Sequence, residues 1–397
     1  MIYRYVFFLI LGVDAFILFL QASHLSISYE EASLLYGDFS FLSFLTSLSL
    51  KLLGHNDYAL RFVMILFHLL SAVLMYKISK RYISKERNRL WLLLVFILLP
   101  GVLSAAIVIN SAGMVIFGLL LFIYLNEKIS QRYLNLLLFL FAITDIGFVY
   151  LFLGLAVYYS MHKQKYNFLY VLSLYLLSSF LYGFEVRGSP SGHFLDTIGV
   201  YSAIFTPIIF IYLVYTLYKR YFSAKTDLLW YLSSTALILS LILSFRQRLP
   251  LEHFAPYLII ALPLAAQSFI SSYRVRLKVH RKAYKLAFVL SFIFLISNTL
   301  LVFFNKELYV FMKNPKKHFA YKMHVAKELS NVLKQRGIYC LRTDKEMQKR
   351  LQYYGVTKCK NVLLKEKSLI DKKPTDVTIS YANTVLYRAS VTNIDKN

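Results

Sequence analysis

Apolar residues fill most of the first three hundred positions in long blocks, such as Leu90–Leu99 and Val289–Phe304, separated by short polar or basic stretches. Uncharged blocks of this length are the pattern of helices whose solvent is lipid. The candidate spans are Tyr5–Leu20, Ala59–Tyr76, Leu90–Ile109, Met114–Leu125, Leu134–Thr144, Gly147–Tyr159, Phe168–Gly183, Ile198–Tyr218, Leu228–Phe245, Phe254–Ile270 and Leu286–Phe304. That makes about eleven, several of them shorter than the ~20 residues a perpendicular helix needs. The 134–159 stretch reads either as one span or as two half-length helices breaking at Thr144, Asp145, Ile146 and Gly147.

Charge chooses between the two. Basic residues gather in the loops 77–89, 128–132, 163–165, 219–225 and 274–285. Only the hairpin puts all five on one side, where the positive-inside rule wants them. It also lifts Asp145 to the outer tip, away from the bilayer centre, where a charge costs at least ~2.5 kcal/mol. The N-terminus is then cytoplasmic, and four pieces face outward: the loop 21–57, the loop 185–196, the loop 246–253, and the tail from Asn305. Most acidic residues of the membrane part fall on that outer face, so chemistry is expected there.

Beyond Asn305 the period changes. Helical spacing over His318–Arg336 stops at Gly337, and Ile338–Arg342 reads as a strand. Lys345–Tyr354 reads as a helix closed by Gly355, and Asn361–Leu364 as a second strand. Val377–Tyr381 and Val385–Val391 read as a strand pair around Asn383. The expected fold class is therefore mainly α: a polytopic membrane domain over 1–304, with its first outer loop at 21–57, followed by a small extracytoplasmic α/β domain over 305–397 with a βαβ core. Cys340 and Cys359 fall on or beside its two parallel strands without metal-ligand spacing, and whether they are bridged depends on the compartment.

Composition agrees with lipid as solvent: 58% of residues are hydrophobic and only 16% charged, against roughly 25% in soluble domains. The net charge of +25 sits in loops beside spans, so it is topogenic and does not imply nucleic acid. No small-residue cleavage site follows Tyr5–Leu20, which reads as a retained first span of a multi-pass inner-membrane protein.

The most informative stretch is the first outer loop, Tyr29-Glu30-Glu31-Ala32, followed by an amphipathic run to Leu53 and then Gly54-His55-Asn56-Asp57-Tyr58-Ala59-Leu60-Arg61. Two adjacent carboxylates at a membrane surface offer a general base; they also suit a helix start, because acids favour its first turn. A second element is Arg246…Arg248…Pro250…His253-Phe254-Ala255-Pro256-Tyr257…Pro263. Together these resemble the GT-C glycosyltransferase superfamily, especially its protein-mannosyltransferase and aminoarabinose-transferase branch. That branch carries an acidic pair after the first span, an interfacial stretch, a Gly…Arg sequence opening the second span, and a late basic loop with Tyr and Pro.

The resemblance implies Glu30 and Glu31 as catalytic carboxylates, with Glu30 at the leading position, although helical-wheel packing puts Glu31 on the apolar face. It implies Arg246, Arg248, His253 and Tyr257 as donor-phosphate contacts, arginine matching phosphate oxygens bidentately. Arg61, Asp57, Asn110 and Arg187 are further substrate-binding candidates, with His193 beside the last. The sequence also departs from the pattern. Glu30 replaces the usual Asp, Asp38-Phe39-Ser40 stands where a Lys-Pro-Pro element helps hold phosphate, and Asn110 stands where an acid is often found. Asn110-Ser111-Ala112-Gly113 reads equally as a tight outer turn.

The expected activity is transfer of a sugar from a polyprenyl-phosphate carrier to a glycan, lipid or protein hydroxyl on the outer face. A phosphate leaving group departs as a stable anion, so one base and a set of cations suffice. No cofactor is required, and a divalent cation stays open. The rival class is a non-enzymatic flippase, transporter or scaffold for lipid-linked glycans, for which broken helices would be the mark. Finally, Asp14 and His68 lie at matching depth in the first two spans, about 10–12 Å from their outer ends at 1.5 Å per residue, and are expected to pair.

Overall fold

The computed structural model describes residues 2–37, 39–183, 192–312, 314–368 and 377–393. Eighteen α-helices and one four-stranded sheet are found among them. Arg187, Asp38 and most of the 185–196 loop lie outside the described residues. The chain divides into two compact units, one built from 1–18 and 62–299, the other from 19–61 and 300–397. The first outer loop thus belongs with the C-terminal tail.

The larger unit is entirely helical. The apolar stretches of the sequence fall on helices, and the break expected at 144–147 is present, slightly earlier at 143–145, between the Gln131–Ala142 helix and a 3-10 turn, Ile146–Phe148, that leads into Val149–Met161. Three helix pairs bend sharply: Glu86–Leu98 with Pro100–Ile107 by 60°, Phe194–Phe205 with Pro207–Phe222 by 106°, and Leu251–Ile259 with Leu262–Val275 by 41°. Each bend sits at or just before Pro100, Pro207 or Pro263, and a proline removes a backbone donor and clashes with the preceding turn. Among the described residues, Ile2–His24, Asp57–Ser79 and Lys278–Phe303 are individually long and apolar enough to cross a membrane, and up to six elements are if each bent pair is one span. The core packs Phe96, Phe122, Phe148, Phe152, Tyr201 and Phe205 out of contact with solvent.

The smaller unit carries the sheet, in the order β1-β2-β4-β3. Its strands are β1 (Cys340–Arg342), β2 (Thr357–Glu366), β3 (Val377–Tyr381) and β4 (Thr384–Asn393). β1 and β2 are parallel and joined through the Lys345–Tyr353 helix, the βαβ core read from the sequence, while β4 pairs antiparallel with both β2 and β3. Cys340 and Cys359, on these neighbouring parallel strands, are bridged, with Cα atoms 5.4 Å apart.

The Ala326–Gln335 helix buries Ala326, Leu329, Ser330 and Leu333, one stripe at i, i+3, i+4 and i+7, against the sheet residues Leu341, Leu364 and Ile379. It stops at Gly337, whose φ of +72° is the left-handed conformation that ends a helix. This helix begins eight residues later than the periodicity of His318–Arg336 suggests. The 315–323 stretch forms two short 3-10 turns instead, with His318 Nδ1 accepting from the Ala320 amide at 3.0 Å. A side-chain acceptor of this kind competes with helical hydrogen bonding.

Candidate functional site

In the smaller unit, the Tyr29–Tyr36 helix starts at Ser28 with a reciprocal cap. Ser28 Oγ accepts from the Glu31 amide at 3.1 Å, and the Glu31 carboxylate accepts from the Ser28 amide at 2.8 Å. This is the Ser-x-x-Glu capping box, a signal present in the sequence at 28–31 that the acidic-pair reading passed over. The same Glu31 oxygen accepts from Arg61 Nη2 at 3.2 Å, and both side chains are completely buried. Arg61 in turn donates to the carbonyls of Ala22, Leu25 and Ser26 at 3.0, 2.9 and 3.1 Å. It thereby satisfies one carbonyl in the last turn of the Ile2–His24 helix and two just beyond its end. Arg61 and Glu31 are brought together as a staple that fixes the loop.

Glu30, one residue earlier, is in the opposite situation. Its side chain is 65% exposed, and its nearest cation is Lys322 Nζ at 3.8 Å, which also reaches Glu346 at 3.6 Å. Of the two adjacent acids, Glu30 is therefore the one that a solute can reach.

Asp57 opens the Asp57–Ser79 helix but points into a buried polar cluster, accepting from Tyr354 Oη at 3.0 Å and pairing with Lys327 at 2.6 Å. Tyr354 also accepts from the Ile27 amide at 2.9 Å, Arg350 Nε donates to the Ile27 carbonyl at 3.1 Å, and Lys327 donates to the Ser23 carbonyl at 3.0 Å. Burial and the neighbouring Asp57 charge push the Tyr354 phenol far above its ordinary value, so it remains a donor to that carboxylate. Burial likewise pulls the Arg350 guanidinium below its usual value. Lys327, Arg350 and Tyr354 were not legible as loop partners, because each lies about three hundred residues from its contact.

In the larger unit, Asn110 caps the Ser111–Leu125 helix, its Oδ1 accepting from the Gly113 amide at 3.2 Å. Next to it, Ser111 Oγ donates to Asp145, which also accepts from the Gly147 amide at 2.7 Å. Gly147 has no room for a side chain: a Cβ there would lie 2.6 Å from Val115 and 3.3 Å from His253 Nδ1. Its carbonyl accepts from Tyr257 Oη at 2.8 Å, and Tyr257 is wholly buried, so that hydroxyl serves the backbone. His253 is largely buried, with Nε2 3.9 Å from Glu252 and Nδ1 without a hydrogen-bond partner among the described residues. Arg246 and Arg248, between the Leu228–Ser244 helix and the Leu251–His253 turn, are exposed, and among the described residues neither side chain is in an ion pair or hydrogen bond. His193 lies 3.4 Å from Asp196. Asp145 and Ser111 are additional polar groups here that the motif reading did not select.

Chemically, the smaller unit offers one accessible carboxylate beside a rigidly held buried pair. The larger unit offers two unengaged guanidiniums that precede a largely buried imidazole in the same short loop. Among the described residues no three His, Cys, Asp or Glu side chains converge in a way that could hold a metal ion.

No protein-family model matches the chain, and no curated protein sequence is similar to it. A solved structure is similar in fold: the crystal structure of ArnT from Cupriavidus metallidurans in the apo state. The superposition has a TM-score of 0.55 at 14% sequence identity and covers 88% of this chain and 74% of that one. At this identity the likeness is one of fold alone: mainly helical, with a small C-terminal sheet.

Proposed function

We propose that the protein is a GT-C-type glycosyltransferase of the cytoplasmic membrane, moving a sugar from a polyprenyl-phosphate carrier to a hydroxyl of a glycan, lipid or protein on the outer face. The ArnT-like course of the backbone over 88% of the chain is the observation that carries this reading. Glu30 takes the proton of the acceptor hydroxyl, whose oxygen attacks the anomeric carbon. The bond from that carbon to the carrier phosphate breaks, and the phosphate leaves with the electron pair, inverting the sugar. Arg246, Arg248 and His253 hold the departing phosphate. Glu31, through Arg61, is a positioning residue that keeps the 29–36 helix in place.

The outer placement of the 305–397 domain is part of the proposal, and the Cys340–Cys359 bridge supports it, since disulfides persist in oxidising compartments. Cysteines introduced near Ser84 and Lys278 should react only in permeabilised cells. Those near Ser191 and Thr375, both outside the described residues, should react from outside. Labelling of Lys278 in intact cells would reverse the orientation and remove the outer-face chemistry.

One observation favours the rival class. Three sharply bent helix pairs are the kind of broken element found in transporters, although each has a proline beside its bend. A deletion strain separates the readings. Loss of a single sugar from surface glycans or glycolipids, with purified protein restoring its transfer to the isolated acceptor, fits the transferase. Accumulation of the intact lipid-linked glycan inside, with no transfer in vitro, fits the transporter.

A further inference from the structure

The larger unit contains a cavity of about 860 Å³ between the helices Glu86–Leu98, Pro207–Phe222, Leu262–Val275 and Lys278–Phe303. This volume is within the range of roughly 300–1,000 Å³ of pockets that bury a drug-sized ligand, enough for a headgroup and part of its acyl chains. Its walls are sorted by polarity. Lys85, Arg87, Arg274 and Lys285 line one end, and none of the four is in an ion pair among the described residues. The nearest acid in sequence, Glu86, is bonded to Arg89 at 3.1 Å.

From that end three of the four walls turn to hydrocarbon in step, Arg87 to Val95, Arg274 to Leu262 and Lys285 to Leu295, while the Pro207–Phe222 wall contributes only isoleucines and tyrosines. Eight to twelve residues of helix is roughly 12–18 Å, about half of a ~30 Å bilayer core. One leaflet's acyl chains fit that depth. Trp91 packs edge-on against Phe288 and Phe292 at 5.6 and 5.3 Å and forms part of the apolar wall.

We propose that this cavity is a binding site for an anionic phospholipid of one leaflet, with its phosphate among Lys85, Arg87, Arg274 and Lys285 and its acyl chains against the aromatic wall. Basic pockets between membrane helices recognise acidic lipid headgroups through this pairing of charge with hydrocarbon. The site is separate from the arginines assigned to the donor. None of Arg246, Arg248 and His253 lines the cavity. The inference is independent of the transferase reading.

The test uses the full-length protein in a neutral detergent, with phosphatidylglycerol or phosphatidylcholine added, read by thermal unfolding and by native mass spectrometry of retained lipid. Phosphatidylglycerol should raise the unfolding temperature and remain bound, and phosphatidylcholine should do neither. Replacing all four cations with Gln should weaken phosphatidylglycerol binding by on the order of several hundredfold, at roughly fivefold per charge. Ala266→Trp, which fills the apolar wall with the charges intact, should lower retention as well and guards against misfolding of the fourfold variant. Equal stabilisation by both lipids, undiminished retention in both variants, or preferential retention of a polyprenyl phosphate would each overturn the assignment.

Discussion

His68 Nε2 lies 2.8 Å from an Asp14 carboxylate oxygen, joining the Ile2–His24 and Asp57–Ser79 helices where both side chains are almost fully buried. The pair was expected from depth alone. Removing one member of such a pair strands the other, at about 3–5 kcal/mol. Asp14→Ala should therefore lower the unfolding temperature of the purified protein by several degrees, while activity per folded molecule survives. An unchanged melting curve would mean that the contact contributes nothing to stability.

The two adjacent glutamates should separate cleanly. Glu30→Gln keeps shape but removes the proton acceptor, so turnover should fall by roughly 10²–10⁴ with the unfolding temperature unaltered. Glu31→Gln keeps an acceptor for the capping box but removes the charge paired with buried Arg61, so stability should fall by about 3–5 kcal/mol. Full turnover in Glu30→Gln with loss in a folded Glu31→Gln protein would move the base to Glu31.

Exposed and unengaged, Arg246 and Arg248 are available to a phosphate. Replacing both with Lys retains charge but loses the planar fork. The apparent KM for the lipid donor should rise several-fold while that for the acceptor stays put. An unmoved donor KM would leave the two arginines as headgroup anchors.

His324 gives the C-terminal unit an acid limit. Burial chiefly, with the nearby Lys306 charge, holds its imidazole down at about 3, and Nδ1 lies 2.9 Å from Tyr309 Oη. The native state thus holds this histidine neutral, while the unfolded chain protonates it near 6.5. The stabilising contribution is complete above about pH 6.5 and is lost as pH falls toward 3, by at most ~1.4 kcal/mol per pH unit. His324→Phe should flatten that part of a stability profile measured between pH 7 and 4. A profile identical to wild type would show that the imidazole titrates in both states alike.

Local signals were legible. The apolar periods, the break at Thr144–Asp145, the βαβ unit and the approach of Cys340 to Cys359 all follow from neighbours in sequence. The partnership of the first loop with the tail did not, because Arg350 and Tyr354 read as an ordinary cation and aromatic on an amphipathic helix until Ile27 is set beside them. The sharp bends were half legible: Pro100 and Pro207 mark them, but the 106° at Thr206, with φ at +65°, depends on packing that no local pattern encodes. In the first loop the acidic pair was legible, whereas the burial of Glu31 against Arg61, thirty residues on, was not.

The smaller unit combines 19–61 with 300–397, and this imposes an order on biosynthesis. Glu31 and Arg61 leave the ribosome early, yet Lys327, Arg350 and Tyr354 are made only after the whole 62–299 stretch, roughly 10–50 s later at ~5–20 residues per second. Through that interval Asp57 and the Ile27 backbone wait without their eventual partners. The nascent first loop thus lacks the contacts that hold it in the folded chain until the 327–354 stretch is made. A chain stalled before residue 320 should leave this loop open to protease, and a released chain that includes residues 300–397 should not.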